Sequence, residues 1–335
     1  MKNYPKVKVA AVQAAPVLLD LDATVDKVCR IVDEAASNGA KIIGFPEAFV
    51  PGYPWWIWMG AADYGMKYYI RLYKNAVEIP SPAVRRFSDA ARRNEVYLCV
   101  SVTEKDGGSL YLTQLWFGPK GDLLGKHRKF KATNAEKTIW GDGDGSMAPL
   151  IESEYGNLGG LQCWEHMIPM NIAAMGALNE QIHVASWPIG MPGNEHLFRD
   201  EACVIASRYY AMSNQCFVIL GSQLWNEQHE QTVCETPEQR AVMEYGHGCA
   251  CVIAPNGAIL ASVPHDQEGI AYAECDLEAM IPGKFLIDTA GHYSTPGFLS
   301  MTFDRREHRP VFVVGEGKDT SMSYDEIQYG DLETK

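Results

Sequence analysis

The chain has no run of about 18 or more apolar residues, the length a helix needs to cross a bilayer, so a helical membrane protein is excluded. Its first residues, Met1-Lys2-Asn3-Tyr4-Pro5, carry no apolar signal core, and the expectation is a soluble, cytoplasmic protein with no membrane partner. A CxxC pair is also missing. The cysteines fall at 29, 99, 163, 203, 216, 234, 249, 251 and 275, spacings that build no zinc site, and neither a metal nor a cofactor is expected. An odd number of thiols agrees with a reducing compartment, where disulfides are rare. Basic residues are in short supply: 29 Lys and Arg against 42 Asp and Glu give a net charge of −13, which argues against a nucleic-acid partner. The glycine-rich Gly141-Asp142-Gly143-Asp144-Gly145 is acidic and lacks both the lysine of a phosphate loop and the strand-to-helix frame of a dinucleotide fingerprint. No Ser/Gly/Pro-rich linker divides the 335 residues. One domain over residues 1–315 is therefore expected, followed by a polar, acidic tail over 316–335.

What the chain does have is apolar residues, 47% of the total and ample for a core. Ala10 to Gln13 and Lys41 to Phe45 read as short buried strands on either side of Leu21 to Ser37. In that segment Val25, Val28, Ile31, Val32 and Ala35 keep the spacing of one helix face, with Asp20 as N-cap and Gly39 ending the helix. This is a βαβ unit. Further strand-like runs are Tyr97 to Val102, Leu110 to Phe117, Leu158 to Gln162, His183 to Trp187, Phe217 to Leu220, Ala250 to Ala254 and Ala271 to Cys275. Asn256-Gly257 between apolar runs signals a hairpin, so antiparallel pairs join the sheet. Periodicity alone gives an α/β or α+β class.

The most informative segment is Gly159-Gly160-Leu161-Gln162-Cys163-Trp164-Glu165-His166, which sets a thiol where an apolar strand breaks into a polar turn. On such a bend the sulfur projects from the backbone, and the following amides are left to face an oxyanion. The competing reading is a small buried hydrophobe, the ordinary fate of a free cysteine. An acid and a base set Cys163 apart. Glu47 lies just past a strand end, enclosed by Phe45, Pro46 and Phe49 and followed by the turn Pro51-Gly52-Tyr53-Pro54. Lys129 sits in the basic cluster Lys126-His127-Arg128-Lys129-Phe130-Lys131, and spacing does not choose among its members. His166 and His292 are rival partners for the thiol. His166 follows Cys163 too closely to reach back easily, and His292 reads as a loop anchor or filament contact.

Glu47, Lys129 and Cys163, in that order and in those contexts, resemble the nitrilase superfamily of carbon–nitrogen hydrolases along nearly the whole chain. The resemblance implies a four-layer αββα sandwich. It makes Glu47 the general base, Lys129 the cation facing the tetrahedral intermediate, Cys163 the nucleophile and Glu136 a second structural or proton-relaying carboxylate. Cys163-Trp164-Glu165-His166, Trp140 to Gly145 and His183 to Pro188 resemble true nitrilases more than amidases.

Tyr53, Trp164, Trp187 and Met191 are candidates for the walls of a substrate pocket, with Tyr53 opening the aromatic stretch Tyr53-Pro54-Trp55-Trp56-Ile57-Trp58-Met59. By the resemblance, such proteins form homo-oligomers through a helix-lined surface, a dimer extending into spiral filaments. Gly108 to Leu112, Gly125 to Lys129 and the tail Tyr324 to Tyr329 lean toward cyanide-degrading members. Lys131-Ala132-Thr133 leans toward hydrolases of organic nitriles, and Ile189 to Arg199 follows neither pattern. Hydrolysis of a small organic nitrile by water is the leading expectation, with cyanide dihydratase, an amidase and a catalytically idle filament-forming scaffold as alternatives.

Overall fold

Side chains along a β-strand alternate between faces, so a strand apolar on both faces must be covered twice. The computed structural model, which describes residues 4–189, 201–308, 311–318 and 320–329, follows that rule in its central strands. Its first half runs β1 (Lys6–Gln13), α1 (Leu21–Ser37), β2 (Ile42–Gly44), α2 (Ala62–Lys74), α3 (Pro82–Asn94), β3 (Tyr97–Asp106), β4 (Ser109–Phe117) and β5 (Leu123–Arg128). The second half continues with β6 (Ile151–Ser153), β7 (Gly156–Gln162), α4 (Pro169–Ala177), β8 (Ile182–Trp187), α5 (Glu201–Asn214), β9 (Phe217–Ser222), β10 (Cys251–Ile253), β11 (Ile259–Ser262) and β12 (Gly269–Asp276).

The hydrogen-bonded order is β5-β4-β3-β2-β1-β9-β8-β7-β6, with β12 antiparallel to β1 and β10 antiparallel to β9. In the first half Ala10, Val12, Ile43, Leu98 and Val100 face α1 and α3, while Val9, Ala11, Ile42, Tyr97 and Cys99 face inward. In the second half Leu161, Ala185, Val218 and Leu220 face α4 and α5, while Leu158, Ile182, Val184, Phe217 and Ile219 turn into the same inner cluster. Helices, sheet, sheet and helices thus stack in four layers, the αββα order that the resemblance implies. Helix α1 has the bounds that its periodicity predicts, and Asp20 caps it by accepting from the Ala23 amide. The turn at Asn256-Gly257 joins β10 to β11 as an antiparallel pair, with Gly257 at a φ of 79°. Strand β1 is longer than its apolar run suggests, because its first half alternates with the exposed Lys6 and Lys8. No helix among the described residues is long and apolar enough to cross a membrane.

The inner layer is not wholly apolar. The Gln114 amide on β4 donates across to Leu161 O (3.1 Å), Val184 O (3.2 Å) and Ser186 Oγ (2.8 Å). Gly160 makes room for it, since a Cβ there would lie 2.7 Å from Gln114 Oε1.

Strands β1, β2, β3, β7, β8 and β9 are mutually parallel, and β5, two antiparallel steps from β3, shares their direction. Their carboxyl ends collect on one edge, the place where open α/β sheets put functional groups. A close contact holds that edge together. A Cβ on Gly221 would lie 2.7 Å from Phe45 C and 2.9 Å from Pro46 N, backbone atoms that cannot swing aside. Gly221→Ala is therefore expected to destabilise the fold by about 1–3 kcal/mol, the usual cost of overpacking, and to displace the segment carrying Glu47. Thermal unfolding checks this, and an unchanged melting temperature would refute the contact's importance.

Candidate active site

Glu47 follows β2, Lys129 follows β5 and Cys163 follows β7, so three parallel strand ends deliver three functional groups to one edge. Lys129 Nζ donates to Glu47 Oε1 and to Glu136 Oε2, each at 2.8 Å. A carboxylate oxygen from Glu47, one from Glu136 and the Cys163 sulfur lie within 4.8 Å of one another. All four residues are at most 4% exposed. Glu136 sits on a short 3-10 turn, Asn134–Thr138, where it also accepts from the Thr133 amide (2.8 Å) and from Tyr53 OH (2.8 Å). Two carboxylates and a thiolate are a donor set a small cation could use, but the Lys129 ammonium already supplies the positive charge at both carboxylates.

Burial dominates the ionisation of these groups. It pushes the Glu47 carboxyl up to about 8, against the pull of Lys129. Burial also opposes the charge on Lys129, yet Glu136 and Glu47 outweigh it and hold the ammonium well above its ordinary range. The Cys163 thiol is lifted well above its usual value, first by burial and then by Glu47, while Lys129 and the Trp164 amide pull it down. A resting thiolate is therefore disfavoured, so a thiol at this place would have to give up its proton in any reaction at sulfur. Glu47 Oε2 has no hydrogen-bond partner among the described residues, which leaves that oxygen able to take a proton.

Backbone geometry aims the groups. Cys163 has a φ of 51°, and Ala48 and Asn134 each have a φ of 46°, left-handed conformations that cost a side-chain-bearing residue about 1–2 kcal/mol. Buried hydrogen bonds stabilise the three bends. The Ala48 amide donates to Ser101 Oγ (2.8 Å), and Ser101 donates to Gln162 Oε1 beside Cys163. Gln162 Nε2 donates to Leu112 O (3.1 Å), which also accepts the Lys129 amide (2.8 Å). Glu165 accepts from the Gln162 and Phe130 amides at 2.8 Å and lies 2.9 Å from His127 Nε2. One polar frame thus ties the Glu47, Lys129 and Cys163 segments to one another.

His166 turns to the backbone and not to the thiol: its Nδ1 lies 2.7 Å from the Cys163 carbonyl oxygen. The short turn Cys163–Met167 brings the ring under the peptide rather than over the sulfur. His292 stands exposed, away from this cluster.

An apolar cavity of about 160 Å³ opens on Cys163, and Tyr53, Trp164 and Trp187 all line it. The Trp164 and Trp187 rings meet edge to face at 5.7 Å. Met191 lies outside the described residues. The tryptophan-rich stretch divides its labour: Trp55 and Trp58 line the cavity, while Trp56 packs on Tyr68 of α2. Thr133, Asn134, Ile189 and Cys203 also line it, and the sequence did not mark them as pocket residues.

The carbon–nitrogen hydrolase profile matches residues 8–285. The chain belongs to that family. It is 68% identical over 331 residues to a protein of Bacillus sp. (strain OxB-1) described as a nitrilase, covering 98% of this chain and 97% of that one. It is 39% identical over 334 residues to an aliphatic nitrilase of Rhodococcus rhodochrous, covering 98% of this chain and 87% of that protein. Among solved structures, the carbon–nitrogen hydrolase from Helicobacter pylori G27 superposes with a TM-score of 0.69 at 19% identity, covering 84% of this chain and 93% of the other, a likeness of fold. The family resemblance carried by Glu47, Lys129 and Cys163 is thereby borne out.

Tyr53 both walls the cavity and hydrogen-bonds Glu136. Tyr53→Phe keeps the wall and removes a donor to a charged group, a loss of about 1.5–3 kcal/mol. We expect kcat to fall about tenfold or more with little change in KM, by steady-state kinetics. A rise in KM alone would instead make Tyr53 a wall residue only.

Proposed function

We propose that this protein hydrolyses organic nitriles to the carboxylic acid and ammonia. The observation that carries the reading is the aromatic-walled cavity lined by Cys163 and Glu136, with Glu47 within reach of both and Lys129 bonded to both carboxylates. Apolar walls bind an organic substituent. Cyanide, a two-atom anion, would leave most of those rings without contact.

Glu47 is the general base and Cys163 the nucleophile. As the sulfur attacks the nitrile carbon, Glu47 takes the thiol proton and passes it to the substrate nitrogen, giving a thioimidate. Water deprotonated by Glu47 adds to that carbon, ammonia departs, and a thioester remains. A second water cleaves it to the acid and restores the thiol. Lys129 and the Trp164 amide stabilise the negative charge that develops at each addition, and preorganised donors of this kind are often the largest catalytic effect. Glu136 holds Lys129 in place through a second hydrogen bond, beside the one to Glu47. A base near neutrality suits repeated proton transfer, and a reducing cytoplasm keeps such a thiol intact.

A homo-oligomer built from dimers that can extend into a filament is the further part of the proposal. Ile205, Tyr209 and Met212, each more than half exposed, form an apolar stripe at helical spacing on α5 and support a second copy as its cover. Sedimentation of the purified protein tests this, and a monomer at micromolar concentration would overturn it.

The activity is tested by ammonia release from potassium cyanide, an aliphatic dinitrile, phenylacetonitrile and the matching amides, with Cys163→Ala as the blank. Release from organic nitriles, lost in the blank, is expected. Release from cyanide alone would make the protein a cyanide dihydratase, release from amides alone an amidase, and no release a scaffold. Because the base form of Glu47 is required, kcat/KM is expected to climb about tenfold per pH unit in the acid limb and level off near pH 8. A flat profile between pH 6 and 8 would remove Glu47 as the base.

A further inference from the structure

Behind the nucleophile, away from substrate, four buried side chains stand in file. His166 Nδ1 lies 2.7 Å from the Cys163 carbonyl oxygen, His166 Nε2 lies 2.8 Å from His183 Nε2, His183 Nδ1 lies 2.8 Å from Glu180 Oε1, and Tyr210 OH donates to Glu180 Oε2. None of the four is more than 2% exposed. The fold gives up a side chain to build the file, since a Cβ on Gly159 would lie 2.1 Å from Glu180 Oε1. The chemistry described so far uses none of these groups beyond the carbonyl at one end.

Hydrogen-bond logic fixes the direction of the file. A carbonyl oxygen only accepts, so His166 Nδ1 carries a proton. Burial, followed by the neighbouring His183, holds His166 well below the ordinary histidine range, so the ring is neutral and its Nε2 accepts. His183 Nε2 must then be the donor. Its Nδ1 shares one proton with Glu180, whose second oxygen takes the Tyr210 hydroxyl. Donors therefore point one way from His183 through His166 to the Cys163 carbonyl, and Glu180, which accepts from Tyr210, holds His183 from its far side.

That carbonyl belongs to the same planar trans peptide as the Trp164 N–H, and in such a peptide the C=O and N–H point in opposite directions. Pinning the oxygen toward His166 aims the N–H away from it, and the Trp164 amide does act on the Cys163 sulfur. A hydrogen bond to the carbonyl also polarises the peptide and strengthens its N–H as a donor, and a chain of such bonds reinforces the effect. We propose that His166, His183, Glu180 and Tyr210 form a positioning relay that orients and strengthens the Trp164 amide as the donor to the charge developing on substrate and sulfur. None of the four touches substrate. The inference rests on Cys163 being the nucleophile, as proposed above.

The test compares wild type, His183→Leu, His183→Gln and Tyr210→Phe, with Cys163→Ala as the control for the nucleophile itself. Two quantities are read: kcat and KM on the best nitrile, and the pH midpoint for iodoacetamide alkylation at Cys163, followed by mass spectrometry of its peptide. Glu47, Lys129 and Glu136, the charged groups facing that thiol, are the same in all the relay variants. His183→Leu leaves His166 Nε2 without its donor, and we expect kcat to fall tenfold or more, KM to stay within twofold and the alkylation midpoint to move to higher pH. His183→Gln restores an N–H at that place and should bring kcat back to within threefold of wild type. Tyr210→Phe, at the far end, should shift kcat and the midpoint in the same direction by less. A folded His183→Leu protein with kcat within twofold of wild type overturns the proposal. So does a fall in kcat with an unmoved alkylation midpoint, or a His183→Gln variant no better than His183→Leu. If His183→Leu fails to fold, Tyr210→Phe decides: unchanged kcat and midpoint overturn the relay. Activity remaining in Cys163→Ala would instead remove the nucleophile assignment, a failure distinct from that of the relay.

Discussion

Everything at this site depends on one buried cation. Lys129 Nζ is held at 2.8 Å from both Glu47 and Glu136 in surroundings nearly closed to water. Moving an ammonium out of water costs several kcal/mol, so it stays charged only where carboxylates repay the loss. Two carboxylates for one cation is one negative charge too many for a dry site. The excess is resolved by proton uptake at Glu47, the carboxyl whose second oxygen has no partner among the described residues, while Glu136 is fully bonded. The constraint that keeps Lys129 charged thus also lifts the Glu47 carboxyl to about 8.

The site is assembled by topology more than by local sequence. Glu47, Lys129 and Cys163 lie far apart along the chain, but each follows a strand whose carboxyl end reaches the same edge. Parallel alignment sets the rough position, and the polar frame through Ser101, Gln162, Leu112 and Glu165 sets the fine one. Buried polar side chains are costly unless every bond is made. A frame of this sort therefore resists the small displacements that would separate a thiol from its base.

Much of this was legible in the residues. The bounds of α1 followed from apolar spacing and an N-cap, and the inner strands from runs apolar on both faces. Cys163 stood out because a thiol at a strand end is conspicuous, and Glu47 because an acid among Phe45, Pro46 and Phe49 has no place on a surface. Lys129 was different. Spacing left it equal to Lys126, Arg128 and Lys131, and what separates them in space is β5, whose alternation sends Lys126 and Arg128 to Glu104 and leaves Lys129 to the site. Cross-layer contacts were invisible for a related reason. Gly159 and Gly160 read as part of the strand Leu158 to Gln162, yet each is small because a polar side chain from another element, Glu180 or Gln114, occupies the space beside it. A single sequence records the absence of a Cβ but not what fills the gap.

Substrate choice belongs to a different part of the molecule. A thiol, a base and a cation can add water across a nitrile or an amide alike, because both reactions build negative charge on the atom bonded to the attacked carbon. The four charged and nucleophilic groups therefore accelerate addition without selecting what is added to. On the proposed function, selection falls to Tyr53, Trp55, Trp58, Trp164 and Trp187, whose rings offer area and edges but few hydrogen bonds. An amide brings an N–H₂ group that must lose water to enter such walls, whereas a nitrile is linear and accepts only at its terminal nitrogen. An aromatic cavity with its polar groups confined to one end favours the nitrile by leaving the amide's extra donors unmatched. The walls are thus a negative selector, and the bond that is broken is decided by what the cavity declines to hydrogen-bond.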